Sequence, residues 1–316
     1  MPVIEVHGLR KRYGDTAALT GVDLSVRAGT LCAVLGPNGA GKSTLVRILT
    51  TLLRADAGTA RVAGHDVARH PERVRAHIGL VGQHTAVDEV LGARQNLVLF
   101  GRLRHLSPAR ARTLAEELLE RFGLTHAAHR PVGTYSGGMR RRLDLAAALI
   151  GDPPVLFLDE PTTGLDPRSR GELSDAVRAL VAAGSTVLLT TQYLQEADQL
   201  ADTVRIVDHG RVVAAGSPEQ LKATLGGDRV EVRLHHGDQL ASAAATIGAA
   251  IGTTPRVEPD RLRISVDVTD RVSALTTVLR ALEDAGLTAA DVALRRPTLD
   301  EVFLRLTAER RQEVSA

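Results

Sequence analysis

Gly36-Pro37-Asn38-Gly39-Ala40-Gly41-Lys42-Ser43-Thr44 fits the pattern G-x-x-x-x-G-K-[ST]. The run Thr30-Leu31-Cys32-Ala33-Val34-Leu35 before it reads as a buried strand. Lys42 to Arg54 after it reads as a helix with Leu45, Ile48, Leu49 and Leu52 on one face. A glycine-rich turn between strand and helix aims successive backbone N–H groups at an anion held on the helix N-terminus. The pattern therefore predicts a cradle for the phosphates of a nucleoside triphosphate, built from Gly36, Pro37, Asn38, Gly39, Ala40, Gly41 and Thr44. In it Lys42 reaches the β- and γ-phosphates and the Ser43 hydroxyl ligates Mg²⁺. Lysine occurs in the chain only at Lys11, Lys42 and Lys222, which argues against a chance match.

Working outward, 316 residues suffice for two domains and a sizeable core. A formal net charge of +2 argues against nucleic acid as a partner, and at 2% aromatic residues the chain has almost no stacking platform for single strands. The single cysteine, Cys32, excludes an internal disulfide and fits a reducing compartment; its place in the strand reads as a small buried apolar residue. No signal-peptide pattern opens the chain, and no apolar run approaches the ~20 residues needed to span a bilayer. The expected location is cytoplasmic, any membrane role coming through a partner.

Strand and helix patterns alternate through residues 1–227. Val3–His7 and Val22–Arg27 read as strands of a small β layer. Ile78–Val81, Val155–Asp159 and Ser185–Thr190 read as central strands of a parallel sheet. Val204–Val207 and Arg211–Ala214 flank a hairpin turn at His209-Gly210. Ser107-Pro108 opens a helix striped by Leu114, Leu118, Leu119 and Phe122 and stopped by Gly123. Ser217-Pro218-Glu219-Gln220 opens a short helix as a capping box, and Gly226-Gly227-Asp228 reads as a linker. Beyond it, residues 228–316 form a second pattern. Strands are expected at Arg229–Leu234, Arg261–Val268 and Asp291–Arg295, and helices at Gln239–Ile251, Val272–Ala285 and Leu299–Thr307. That is a small α+β domain of ferredoxin-like character.

The apolar strand Val155-Leu156-Phe157-Leu158 ends in Asp159-Glu160. Downstream of a phosphate loop, Asp159 is placed to hold Mg²⁺ and Glu160 to act as general base on the attacking water. Upstream lies Tyr135-Ser136-Gly137-Gly138-Met139, where Ser136 can cap the following helix and the two glycines leave its first N–H groups open. Arg140-Arg141-Arg142 reads as a solvated helix face. His126 and His129 lack partner ligands at metal spacing.

Tyr135 to Met139, a short distance before the acid-ended strand, resembles the LSGGQ signature of ATP-binding cassette (ABC) ATPases, with Tyr for the first Leu and Met for the last Gln. Other elements of that family fall in order. Tyr13 matches the aromatic that stacks on adenine, Gln83 the glutamine that senses Mg²⁺ and the attacking water, and Gly164-Leu165-Asp166 the loop that crosses a dimer interface. The family's switch histidine is replaced by Gln192, which can donate to a γ-phosphate but cannot become cationic. Thr134 to Leu143, Thr190 to Leu194 and Arg296-Pro297-Thr298-Leu299-Asp300-Glu301-Val302-Phe303 look like the daunorubicin/doxorubicin-resistance type of ABC ATPase.

The resemblance implies a P-loop NTPase cassette with a RecA-like core, an antiparallel β subdomain and a helical subdomain between Gln83 and Tyr135. It implies ATP and Mg²⁺ as cofactors. Lys42, Glu160 and Gln192 would be catalytic, Ser43, Gln83 and Asp159 would hold the metal, and Ser136, Gly137, Gly138 and Asp166 would touch nucleotide across a head-to-tail dimer. It also implies a separate membrane permease docked against Gln83–Val98, peripheral attachment to the inner face of the membrane through it, and export of drugs or other apolar metabolites. Two alternatives stand beside it. A soluble ABC ATPase of DNA repair or translation usually carries a long coiled-coil insertion or tandem cassettes, and this chain has neither. A nucleotide-gated regulator with weak hydrolysis is the alternative that Gln192 raises.

Overall fold

The structure is a computed structural model and describes residues 1–225 and 228–305. Strands β1 (Pro2–Tyr13) and β2 (Thr16–Arg27) come first, then β3 (Leu31–Leu35), α1 (Lys42–Leu49), β4 (Ala57–Val62), β5 (His65–Asp66), α2 (Pro71–Ala76) and β6 (Ile78–Val81). Helices α3 (Ala93–Leu103) and α4 (Pro108–Arg121) follow. After them come α5 (Gly137–Ala148), β7 (Val155–Asp159), α6 (Pro167–Ala182), β8 (Thr186–Thr191), α7 (Leu194–Leu200), β9 (Thr203–Asp208) and β10 (Arg211–Gly216).

β2-β1-β4-β5 form an antiparallel sheet; β10-β9-β3-β8-β7-β6 form a second, parallel apart from β10. Every residue of β3, β7 and β8 is buried. That matches their near-continuous apolar sequence, which only a sheet covered on both faces can satisfy. Each Leu or Phe so buried is worth about 1.5–3 kcal/mol. The register pairs Leu35 with Thr191, Asp159 with Thr190 and Val81 with Leu158. Four strands therefore end along one edge of the sheet, where their C-terminal loops meet. The helical subdomain is α3 packed on α4. Ser107 caps α4 by accepting the Arg110 N–H at 3.2 Å.

Three expectations need correction. Helix α1 ends at Leu49, not Arg54: Thr51 sits at φ +66°, and the Leu52 and Leu53 N–H groups both turn back to the Arg47 carbonyl. Leu52 therefore leaves the apolar stripe and is 59% exposed. Ile78–Val81 is apolar but forms the sheet edge, paired only with β7. β4 was not among the expected strands: four of its six residues are exposed and only Ala60 and Val62 face inward, too short an alternation to read.

A second compact unit begins at Glu219. It holds α8 (Pro218–Ala223), whose first residue closes the first unit, then β11 (Asp228–Leu234), α9 (Leu240–Ile251), β12 (Arg256–Glu258), β13 (Arg263–Val268), α10 (Arg271–Asp284), β14 (Ala289–Arg295) and α11 (residues 299–305). Almost all of α8 thus groups with the C-terminal unit. Gly226 and Gly227 of the expected linker, and Leu306 and Thr307 of the expected last helix, lie outside the described residues. The βαββαβ order with sheet order β12-β13-β11-β14, antiparallel throughout, is ferredoxin-like. Inward Val230, Val232, Ile264 and Val266 pack with Ile247 and Val278 into a separate core. The opposite face carries cross-strand ion pairs, with Glu231 between Arg263 at 3.4 Å and Arg295 at 3.5 Å.

Because this unit has its own core, truncation near Gly227 is expected to leave nucleotide binding intact, measured by equilibrium titration. A folded truncated protein that no longer binds would mean that the unit completes the nucleotide site.

Candidate functional site

The loop after β3 closes tightly around its helix start. Gly41 has φ +103°, and a Cβ there would stand 2.4 Å from the Ala18 carbonyl, so no other residue fits. A cavity of about 510 Å³, within the range of small-molecule sites, opens over this loop. Its walls are Asn38, Gly39, Gly41, Lys42, Ser43 and Thr44, with Ala18, Gln83, Glu160 and Thr163 opposite.

Lys42 is buried and donates to the carbonyls of Gly36 at 2.8 Å and Pro37 at 3.1 Å; its ammonium also pairs with the Glu160 carboxylate at 3.1 Å. Asp159, at the end of β7, is buried as well. One of its oxygens accepts the Ser43 hydroxyl at 3.2 Å and the Thr190 hydroxyl at 2.5 Å. Gln83, two residues past β6, donates to the Ser43 hydroxyl at 2.9 Å. Lys42, Ser43, Gln83, Asp159 and Glu160 are thus brought together from the ends of three strands, β3, β6 and β7, and Thr190 joins them from β8.

Glu160 occupies a left-handed conformation, φ +50°, which costs a non-glycine residue about 1–3 kcal/mol. The strain is held by the Glu160 N–H, which reaches both the carbonyl and the hydroxyl of Thr190 at 3.1 Å, and by Thr163, whose hydroxyl meets the carboxylate at 3.5 Å. Hard oxygen donors of Ser43 and Asp159 beside the Gln83 amide are the set that suits a small divalent cation.

Other predicted residues lie apart from this cavity's walls. Tyr13 is 45% exposed at the end of β1, with the Lys11 ammonium 5.9 Å over its ring. Ser136 caps α5, accepting the Met139 N–H at 3.2 Å. Gly138 is there for packing: a Cβ on it would meet the Ser169 hydroxyl of α6 at 2.4 Å, whereas one on Gly137 would meet only a Leu165 methyl at 3.6 Å. Asp166 caps α6 through the N–H and hydroxyl of Ser169, and these bonds hold its carboxyl below the usual range. Gln192 sits in the turn between β8 and α7.

The arginine triplet corrects its sequence reading. Arg140 pairs outward with Glu89 at 3.1 Å, and Arg142 pairs with Glu172. Arg141 is only 6% exposed and points into the molecule. On α5 it shares the inward stripe with Asp144, Leu145 and Ala148, three, four and seven residues on, and that helical spacing was the available signal. Thr190 was missed because a threonine closing an apolar strand reads as β-branched filler.

Phosphate loop, acid-ended strand, glutamine loop and capped glycine pair on one parallel sheet define an ABC-class ATPase. A family model described as "ABC transporter" matches residues 19–163, and one described as "ATP-binding protein DrrA1-3-like, C-terminal domain" matches residues 216–307. The daunorubicin resistance ATP-binding protein DrrA3 of Streptomyces coeruleorubidus is 61% identical over 98% of this chain and 97% of its own length. The daunorubicin/doxorubicin resistance ATP-binding protein DrrA of Streptomyces peucetius is 52% identical over 96% and 92%. Among solved structures, cbiO1 from Clostridium perfringens, part of an ABC transporter complex, superposes with TM-score 0.65 at 27% identity, over 70% of this chain and 91% of that one. The chain belongs to the ABC transporter ATP-binding proteins of the daunorubicin/doxorubicin-resistance type. It is an ATPase subunit. No helix among the described residues is long and apolar enough to cross a membrane.

Glu196 was not anticipated. One turn beyond Gln192, it is 6% exposed, and its Oε2 has no hydrogen-bond partner among the described residues. Burial pushes its carboxyl up; the Thr191 and Thr162 hydroxyls and Arg170 pull the other way, and Glu160 adds to the rise. A carboxyl raised on folding stabilises fully below its unfolded value, about 4.3, and that contribution is lost as pH rises through the folded one. Glu196→Gln is therefore expected to be more stable than wild type in denaturant near pH ~8, the gap closing toward pH ~5. A gap constant across that range would mean that Glu196 is charged throughout.

Proposed function

We propose that the cavity over Gly36–Thr44 binds Mg–ATP and that Glu160 activates the water that attacks it. The observation that carries this reading is the meeting of Lys42, Ser43, Gln83, Asp159 and Glu160 at the ends of parallel strands. Lys42 neutralises the β- and γ-phosphates, and Gln83 orients the water. Ser43, Asp159 and Gln83 would hold the metal, which neutralises phosphate charge. A γ-phosphate bound at the loop competes with Glu160 for Lys42, so binding releases the carboxylate to act as base. Tyr13, exposed at the end of β1, stacks on adenine.

Two copies assemble head to tail. Ser136, Gly137 and Gly138 of one chain face the ATP on the phosphate loop of the other, and Asp166 lies at the crossing loop. Residues 1–227 act as the cassette and 228–316 as an accessory domain. A permease segment docks against Gln83–Val98, beside a groove that Ala86 lines together with the apolar side chains of Leu52, Phe100 and Leu103. Docked there, the subunit is peripheral to the inner face of the membrane. The drug-resistance and export names of its relatives support export of drugs or other apolar metabolites as its task.

Glu160→Gln is expected to bind ATP, to accumulate as an ATP-bound dimer and to lose ~10²–10⁴-fold of hydrolysis. Wild-type turnover would sink the assignment of the base. For Gln192, size and donor capacity matter and charge does not. Gln192→His should keep most activity, and Gln192→Ala should lose the ~2.7–4 kcal/mol typical of a donor to a transferring group. Gln192→Glu, setting an anion against the γ-phosphate, should be worst. Steady-state ATPase assays with the permease present decide it; equal rates for Gln192→Ala and wild type would make Gln192 a bystander and favour another γ-phosphate sensor.

A further inference from the structure

Arg141 joins the two loops that carry Gln83 and Glu160. Its Nε donates to the Pro161 carbonyl at 2.6 Å, one terminal nitrogen to the Gly82 carbonyl at 2.7 Å, and the other to the Glu160 carbonyl at 3.1 Å. Asp144, one turn on, lies 3.4 Å from the guanidinium and accepts the Ala86 N–H at 3.0 Å. The pair therefore grips the glutamine loop on both sides of Gln83, at residues 82 and 86, and grips the strained Glu160 peptide from behind.

We propose that Arg141, oriented by Asp144, is a positioning residue for hydrolysis that sets Gln83 and Glu160 relative to one another and makes both follow helix α5. The inference rests on the reading of Glu160 and Gln83 given above. Neither Arg141 nor Asp144 lines the nucleotide cavity, so their action is indirect. Three carbonyls in different directions need a planar cation with several fixed donors, which guanidinium is and ammonium is not. Leaving Asp144 alone in this buried place is costly, which explains why both members of the pair are present. Helix α5 starts at Ser136, the residue that faces the partner's ATP in the proposed dimer. A shift of that helix on engaging ATP is carried by Arg141 to the water-positioning groups of its own chain. The two sites of a dimer are then coupled through this one side chain.

The test is ATP affinity, kcat, KM and the shape of the ATP dependence for the purified full-length protein and its Arg141→Ala, Arg141→Lys and Asp144→Asn variants. Misplacement of reacting groups by about 1 Å costs on the order of 100-fold, so Arg141→Ala should lose about that in kcat. Affinity and KM should stay near wild type, and any sigmoidal ATP dependence should become hyperbolic. Arg141→Lys should recover little, Asp144→Asn should fall between, and added guanidinium, but not methylammonium, should restore Arg141→Ala. Loss of ATP affinity in step with kcat, or unchanged kcat, would overturn the proposal. If Arg141→Ala does not fold, the same split in Arg141→Lys and Asp144→Asn decides. Glu160→Gln run alongside separates the two ideas. If it turns over normally, the base assignment has failed; if it is inactive while the Arg141 variants are not, the clamp has failed.

Discussion

One carboxylate oxygen of Asp159 accepts two hydroxyl protons, from Ser43 and from Thr190, and much of the site hangs on it. Through Ser43 it reaches the phosphate loop and, one bond further, Gln83; through Thr190 it reaches the peptide of Glu160. Four strand ends are tied by a chain of short polar contacts. Parallel pairing makes this possible, because only in-register parallel strands bring all their C-terminal loops to a single edge.

The polar groups at that edge sit on apolar strands, where an unpaired charge would be expensive. Lys42 is matched by Glu160 and two carbonyls, and Arg141 by three carbonyls and Asp144. Burial draws Arg141 down and Asp144 up, each partly offset by the other. Glu196 escapes this scheme, with one oxygen left without a partner and its carboxyl raised instead. The scaffold matches the charges of Lys42 and Arg141 by pairing, whereas at Glu196 burial raises the carboxyl instead.

How much of this the sequence disclosed follows from the range of the forces involved. The phosphate loop, the acid pair and the helix starts at Ser107 and Ser136 are local, set by a few adjacent residues, and they were legible. So was the ferredoxin-like pattern, since alternation along β11 and β13 needs no partner to be seen. Leu52 was misjudged because a left-handed Thr51 breaks the helix period, and threonine announces no such turn. Arg141 was misjudged because a run of three arginines reads as solvated even where the helical stripe turns one of them inward, and its three carbonyl acceptors leave no mark in a sequence. The edge position of β6 is equally silent, since an apolar strand reads alike at centre and edge.

The packing beneath Gly138 bears on how substitutions in this helix are to be interpreted. Any side chain there drives a wedge between α5 and α6 at Ser169, so damage arises within one chain before a second copy is involved. An inactive replacement of Gly138 is consequently no evidence of contact across subunits. Gly137 is the diagnostic neighbour: its added methyl would touch only a Leu165 methyl at ordinary van der Waals distance. A defect at that position would report on what approaches from outside.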